Sequence, residues 1–279
     1  MGKTLSPLRY PGGKSQLSKR VQQLIEKNNW RNRTYVEPFA GGFGVGVYLL
    51  TNNIVENVII NDFDKHVYHF WKSALFQTAE LIELVQSTPI NLEERSRQLI
   101  RYSDPNSTVL QDGFATLYLN RVNYSGVLFA GPIGGRKQQS KYSIGCRFNK
   151  DDIIKRIRNV SNLCNRIQLF CVDANELINR ELTNENDKCF YNIDPPYVLK
   201  GKSLYSAYFT ENDHRDFCNT VRNHLENTPW IITYDNCELV RMIYAGYPIY
   251  EYELYHSAHD RARGTELVIT NITADNFEW

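Results

Sequence analysis

Three apolar runs, each closing on an acidic residue at or near a glycine or proline, limit what this chain can fold into. They are Tyr35-Val36 running into Glu37-Pro38, Asn57 to Asn61 running into Asp62, and Cys189 to Ile193 running into Asp194-Pro195. Short continuous apolar runs bounded by turn residues read as strands buried on both faces, the kind found in parallel sheets covered by helices. Open sheets of this type bind ligands beyond the carboxyl ends of their strands, so the closing acids are placed to meet one. The first run meets Ala40-Gly41-Gly42-Phe43-Gly44-Val45-Gly46, after which Val45, Val47, Leu49 and Leu50 predict a helix packed on the sheet. The expected class is α/β.

The pattern changes at Lys65 and returns near Asn159. Helical stretches at Thr78 to Ser87 and Leu92 to Tyr102 lead to a glycine-rich, basic loop at Asn123 to Arg147. Apolar strands at Trp230 to Thr233 and Leu267 to Thr270 then restore the alternation. This predicts an insert at 65–159 within a catalytic domain made of 1–64 and 160–279, and 279 residues suffice for both. A net charge of +1 does not select a partner, so local charge must. The six cysteines form no CxxC pair and no zinc spacing, which favours reduced thiols and no metal site. No apolar stretch reaches the ~18 residues of a membrane span, and no secretory core is visible, so a cytoplasmic location is expected.

Glycines after a strand let the backbone approach a ligand, and the following helix offers free N–H groups. The loop is neither a Walker loop nor GxGxxG, because Gly42, Gly44 and Gly46 are spaced by two. Asp62 follows about 20 residues later, where an acid accepts from ribose hydroxyls. Asp64 competes with it for a plainer role, the N-cap of the next helix.

The most specific stretch is Asn192-Ile193-Asp194-Pro195-Pro196-Tyr197. Two prolines stiffen the turn and leave carbonyls able to face a ligand. Asp194 and the Pro195 carbonyl suit the two protons of an exocyclic amine, and Tyr197 offers a ring on which a base stacks. An aromatic amine is a poor nucleophile because its lone pair is delocalised. Two acceptors that localise and aim that pair are the main help it needs.

Read in order, Leu8-Arg9-Tyr10-Pro11-Gly12-Gly13-Lys14, Val36-Glu37-Pro38-Phe39-Ala40-Gly41-Gly42, Ile60-Asn61-Asp62, Leu119-Asn120-Arg121-Val122-Asn123-Tyr124-Ser125-Gly126, Asp194-Pro195-Pro196-Tyr197 and Gly264-Thr265-Glu266-Leu267-Val268 resemble the Dam-type (D12 class, alpha group) DNA adenine-N6 methyltransferases. The resemblance implies a Rossmann-like S-adenosylmethionine-dependent fold with an inserted helical target-recognition domain carrying a β-hairpin. It also implies double-stranded DNA as substrate, with the target adenine flipped out. By position, Tyr10, Lys14, Phe39, Gly41, Asp62, Asp173 and Asp194 would bind the cofactor. Asp194, Pro195, Pro196 and Tyr197 would form the catalytic turn.

Extruding a base requires a basic, flexible surface to hold the duplex. Asn120, Arg121, Tyr124, Arg136, Lys137, Lys141 and Arg147 are the candidates, while Lys155, Arg156 and Arg158 also read as a solvated helix face. GATC-reading members carry a hairpin strand close to Phe-Asn-Val-Pro-Phe-Gly. Here the stretch is Gly131-Pro132-Ile133-Gly134-Gly135-Arg136-Lys137, so a target other than GATC is expected. Cytosine N4, an RNA base, and a non-catalytic DNA-binding role stay open as alternatives, and a restriction endonuclease acting separately is a possible partner.

Overall fold

The computed structural model describes residues 5–9, 17–199, 209–254 and 264–279. Strands β1 (Thr34–Glu37), β2 (Val58–Asn61), β3 (Ile167–Phe170), β4 (Cys189–Ile193), β5 (Trp230–Asp235), β6 (Ile249–Leu254) and β7 (Gly264–Thr270) form one sheet ordered β3-β2-β1-β4-β5-β7-β6. β1 to β5 pair in parallel, whereas β7 runs antiparallel to both β5 and β6. From β1 the chain builds outward through β2 and β3, then returns to place β4 and β5 on the other side. The strand order therefore reverses between β1 and β4, where such sheets open a ligand crevice.

The residues explain the layers. Along β1, Tyr35 packs into one apolar cluster and Val36 into another, as period-two alternation requires. On the Tyr35 face lie helices α1 (Ser18–Lys27), α2 (Gly44–Thr51), α3 (Lys65–Phe76), α4 (Thr78–Ser87), α6 (Val109–Val122) and α7 (Lys150–Ser161); α5 (Leu92–Ser103) adds its contacts through α6. On the Val36 face lie α8 (Glu211–His224) and α9 (Glu238–Ile243). Asn91 caps α5 and Thr108 caps α6 in a reciprocal capping box with Gln111, which fixes where these helices begin.

The strands expected from sequence form, and β2, β4 and α4 fall where their patterns place them. Two differences stand out. β6 adds to the strands expected from sequence: Ile249 to Leu254 alternates Tyr with Glu, the period-two pattern of an edge strand. The hairpin implied for the insert is absent: residues 65–159 contain no strand, and the only pairing is one antiparallel bridge between Asn123 and Pro132. The physical reason lies in the sequence of that loop. Pro132 has no N–H for a ladder, and Gly134 and Gly135 adopt φ of +86° and +74°, outside strand geometry.

Candidate active site and nucleic-acid face

At the carboxyl end of β1 and β2 the glycine loop and two acids lock together. The Gly41 N–H donates to Asp62 Oδ2 at 2.8 Å, and the indole of Trp71 on α3 donates to the Gly41 carbonyl at 2.9 Å. Phe43 takes a left-handed conformation (φ 47°, ψ 36°), held by burial and by an edge contact with Trp71 at 5.4 Å. Its ring explains Gly46, where a Cβ would lie 2.0 Å from Phe43 Cε2. That glycine makes room for a neighbour in the core.

Asp64, not Asp62, caps α3 by accepting from the His66 N–H at 2.9 Å. Asp62 is thereby spared for the loop, and burial raises its carboxyl to about 7, with Asp64 adding to the rise. Glu37, at the end of β1, accepts from Tyr35 Oη at 2.9 Å and from the Gly46 N–H at 3.0 Å. Burial pushes it up to about 8 despite those two bonds. Asn192 on β4 donates to Tyr35 Oη at 2.6 Å, which ties the floor of the crevice across β1 and β4. Asn61 bridges further: its amide donates to the Pro38 and Val172 carbonyls at 3.0 and 2.9 Å and accepts from the Val172 N–H at 3.0 Å.

Phe39 is a partly buried ring in edge contact with Phe209 and Phe217, at 5.7 and 5.3 Å. Asp173 follows β3 and accepts from the Asn175 N–H at 2.8 Å, the cap of a short helical turn. Tyr10 and Lys14 lie outside the described residues.

Across the reversal point, β4 delivers Asp194 to Tyr197. Thr233 Oγ1 on β5 donates to Asp194 Oδ1 at 2.7 Å. Pro195 is buried, Pro196 is partly exposed, and Tyr197 is 8% exposed with its hydroxyl donating to Glu266 Oε2 at 2.8 Å. The next two N–H groups, of Val198 and Leu199, donate to the two oxygens of Asp235 at 3.0 and 2.7 Å. The turn is thus held through an acid side chain, a ring hydroxyl and its backbone. It presents acceptors at a fixed place, which is what polarising an amine demands.

The nucleic-acid candidates divide by exposure. Tyr124, Arg136, Lys137, Lys141 and Arg147 are exposed on the connection from α6 to α7. Asn120 and Arg121 are buried, which corrects their expected place on a DNA-facing surface. Asn120 accepts from the Arg9 N–H at 2.8 Å and donates to the carbonyls of Arg9 and Gly126 at 2.6 and 2.9 Å. Arg121 donates to the Pro7 carbonyl, and Arg156 donates to the Ser6 carbonyl at 2.8 Å. They point inward because residues 6–9 carry backbone groups that need partners once α6 and α7 cover them. Burial, with repulsion from Arg156 and Arg9, lowers the Arg121 guanidinium to about 9. Gly126, with φ +80°, completes the strap: a Cβ there would lie 2.5 Å from the Arg9 carbonyl oxygen.

Arg95 went unnoticed in the sequence. It donates to Asn123 Oδ1 at 2.7 Å and to the Ala130 carbonyl at 2.9 Å, bracing the exposed loop from beneath.

The profile of the D12 class N6 adenine-specific DNA methyltransferases matches residues 10–257. A curated relative, Type II methyltransferase M.MjaIII of Methanocaldococcus jannaschii, is 25% identical over 228 residues, spanning 75% of this chain and 74% of that protein. A solved structure, the rRNA methyltransferase aviRa from Streptomyces viridochromogenes, superposes with a TM-score of 0.43 at 12% identity over 94% of this chain and 86% of its own. With the family profile spanning most of its length, the chain belongs to the D12 class N6 adenine-specific DNA methyltransferases.

Proposed function

We propose that the chain takes its methyl group from S-adenosylmethionine and places it on the N6 nitrogen of an adenine flipped out of duplex DNA, within a specific sequence other than GATC. The observation that carries this reading is the pairing, across the strand reversal, of an acid-lined glycine loop on β1 and β2 with the braced Asp194-Pro195-Pro196-Tyr197 turn on β4.

The donor set fits the cofactor. Glu37 and Asp62 are buried carboxyl groups raised to about 8 and about 7, and they suit a ligand bringing hydroxyl groups and positive charge. S-adenosylmethionine carries a ribose diol, an α-ammonium and a sulfonium. When bound it supplies a methyl group already activated by the sulfonium. Asp62 is assigned to the ribose, Gly41 and Phe39 to the loop beneath the ligand, Asp173 to its adenine, and Tyr10 and Lys14 to further cofactor contacts. Asp194 is assigned to both cofactor and target.

On the target side, the Asp194 carboxylate and the Pro195 carbonyl accept hydrogen bonds from the two amine N–H groups and turn the lone pair out of conjugation, and the amine gives up one proton as it takes the methyl group. Thr233 fixes the Asp194 rotamer through Oδ1. Tyr197 supports the base from one face. The rate then comes mainly from alignment.

Residues 65–159 are the proposed target-recognition insert, with Tyr124, Arg136, Lys137, Lys141 and Arg147 as its contacts to the duplex. We also propose a cytoplasmic location, in keeping with the absence of any membrane-spanning helix among the described residues, and a restriction endonuclease acting separately as a partner. The test is incubation with methyl-labelled cofactor and separate duplex DNA and RNA, followed by identification of the labelled nucleoside. N6-methyladenine from duplex DNA is expected; N4-methylcytosine as sole product, or label confined to RNA, overturns the proposal.

A further inference from the structure

The stretch Gly264 to Val268 is one of the motifs that carries the family resemblance. Its acid, Glu266, lies on β7, and β7 pairs antiparallel with β5 so that Glu266 sits directly opposite Asp235. Side chains of directly opposed residues share a face of the sheet, so the two acids form a pair at the edge where β5 ends. Both are nearly buried, at 4% and 7% exposure, and both spend their oxygens on the same short turn. Asp235 takes the N–H groups of Val198 and Leu199. Glu266 Oε2 accepts from Tyr197 Oη at 2.8 Å and also from Tyr252 Oη on β6 at 2.7 Å.

A ring fixed only by packing can still swing about its χ angles; a hydroxyl bound to a buried carboxyl group pins the far end of the ring, and because a phenol O–H prefers to lie in the ring plane the acceptor biases that plane as well. Tolerances at a reacting centre are narrow, and supporting hydrogen bonds are what hold a side chain within them. We propose that Glu266 is a positioning residue for methyl transfer, orienting the Tyr197 ring against the target base while Asp235 immobilises the backbone that follows it. The inference deepens the proposed function and rests on Tyr197 being the platform for that base. Glu266 itself touches neither cofactor nor base; it acts through the tyrosine hydroxyl. The doubly accepting oxygen makes the lock a joint of three strands, because Tyr197 follows β4, Glu266 belongs to β7 and Tyr252 to β6.

The test uses the full chain on unmethylated plasmid DNA with labelled S-adenosylmethionine, measured well below the melting temperature of each variant. Glu266→Ala and Tyr197→Phe are each expected to lower kcat about tenfold, a loss suited to misalignment, with KM for DNA and for cofactor within about twofold. The double variant is expected to be no slower than the slower single one, because both changes break the same bond. Glu266→Gln keeps an oxygen able to accept both hydroxyls and is expected to stay within about threefold of the native kcat. A merely structural acid would lower the melting temperature and leave kcat per folded molecule unchanged, and it would show no such coupling to Tyr197. Native kcat in Glu266→Ala or in Tyr197→Phe, beside an inactive Tyr197→Ala, overturns the positioning role and leaves the base platform standing. Native kcat in Tyr197→Ala overturns the platform itself.

Discussion

Arg121 offers a sharp test of how the target-facing part of the molecule is held. Sequence placed this arginine on DNA; the fold buries it to 6% exposure and spends its guanidinium on the Pro7 carbonyl. Consider Arg121→Met, which keeps much of the volume and removes the donor. A hydrogen bond from a charged donor contributes about 1.5–3 kcal/mol. Part of that is offset, because the cation sits beside Arg156 and Arg9 in a site that lowers its pKa to about 9. The expected net loss is therefore about 1–2 kcal/mol, which corresponds to a fall of about 2–8 °C in melting temperature for a chain of this size. DNA affinity should keep its salt dependence, whereas each lost phosphate contact would reduce the slope of log K against log[salt] by about 0.9. Arg136→Met, on the exposed loop, is the comparison and should show that reduced slope with little change in stability. The assays are thermal melts and a salt titration of duplex binding. A slope reduced by about 1 in Arg121→Met, with an unchanged melting temperature, would refute the tether and return Arg121 to the interface.

Asp194→Ala should abolish methyl transfer while duplex binding, measured by fluorescence anisotropy, stays near native, because the exposed basic residues lie elsewhere. Gly126→Ala should cost about 1–3 kcal/mol in denaturant unfolding through its forced positive φ and the approach of its Cβ to the Arg9 carbonyl. Glu37 should make the cofactor-free protein less stable as pH rises. Its folded pKa of about 8 lies above the ordinary 4.5, so the native state holds the extra proton, and the stability this contributes is full below pH 4.5 and lost as pH rises through 8. Glu37→Gln should flatten that slope in a series of melts from pH 4.5 to 8; an unchanged slope would assign the dependence to other groups.

The parts legible in the sequence are those whose physics is local. The strand before Asp194 is an apolar run ended by two prolines, and β4 occupies that run. Asp62 and Asp64 were distinguishable only in part, since either suits a helix cap. The fold decides between them by bringing the Gly41 N–H to Asp62. Asn120 and Arg121 misled because polar side chains ordinarily face water, and nothing nearby in sequence announces the strap at residues 6–9, more than a hundred positions away. Glu266 could be read only as part of a motif. Its chemistry depends on β7 reversing direction beside β5, which no period in Gly264 to Thr270 encodes.

That reversal brings together residues far apart in the chain. The carboxyl ends of β1, β2 and β4 fall between residues 37 and 193. Because β7 runs the opposite way, its beginning meets the end of β5, and the acid opposite Asp235 comes 69 residues after Tyr197. The Thr233 partner of Asp194 precedes β7, whereas the Glu266 partner of the Tyr197 hydroxyl lies within it. Truncation before β7 would therefore remove the tyrosine's support and leave the aspartate's.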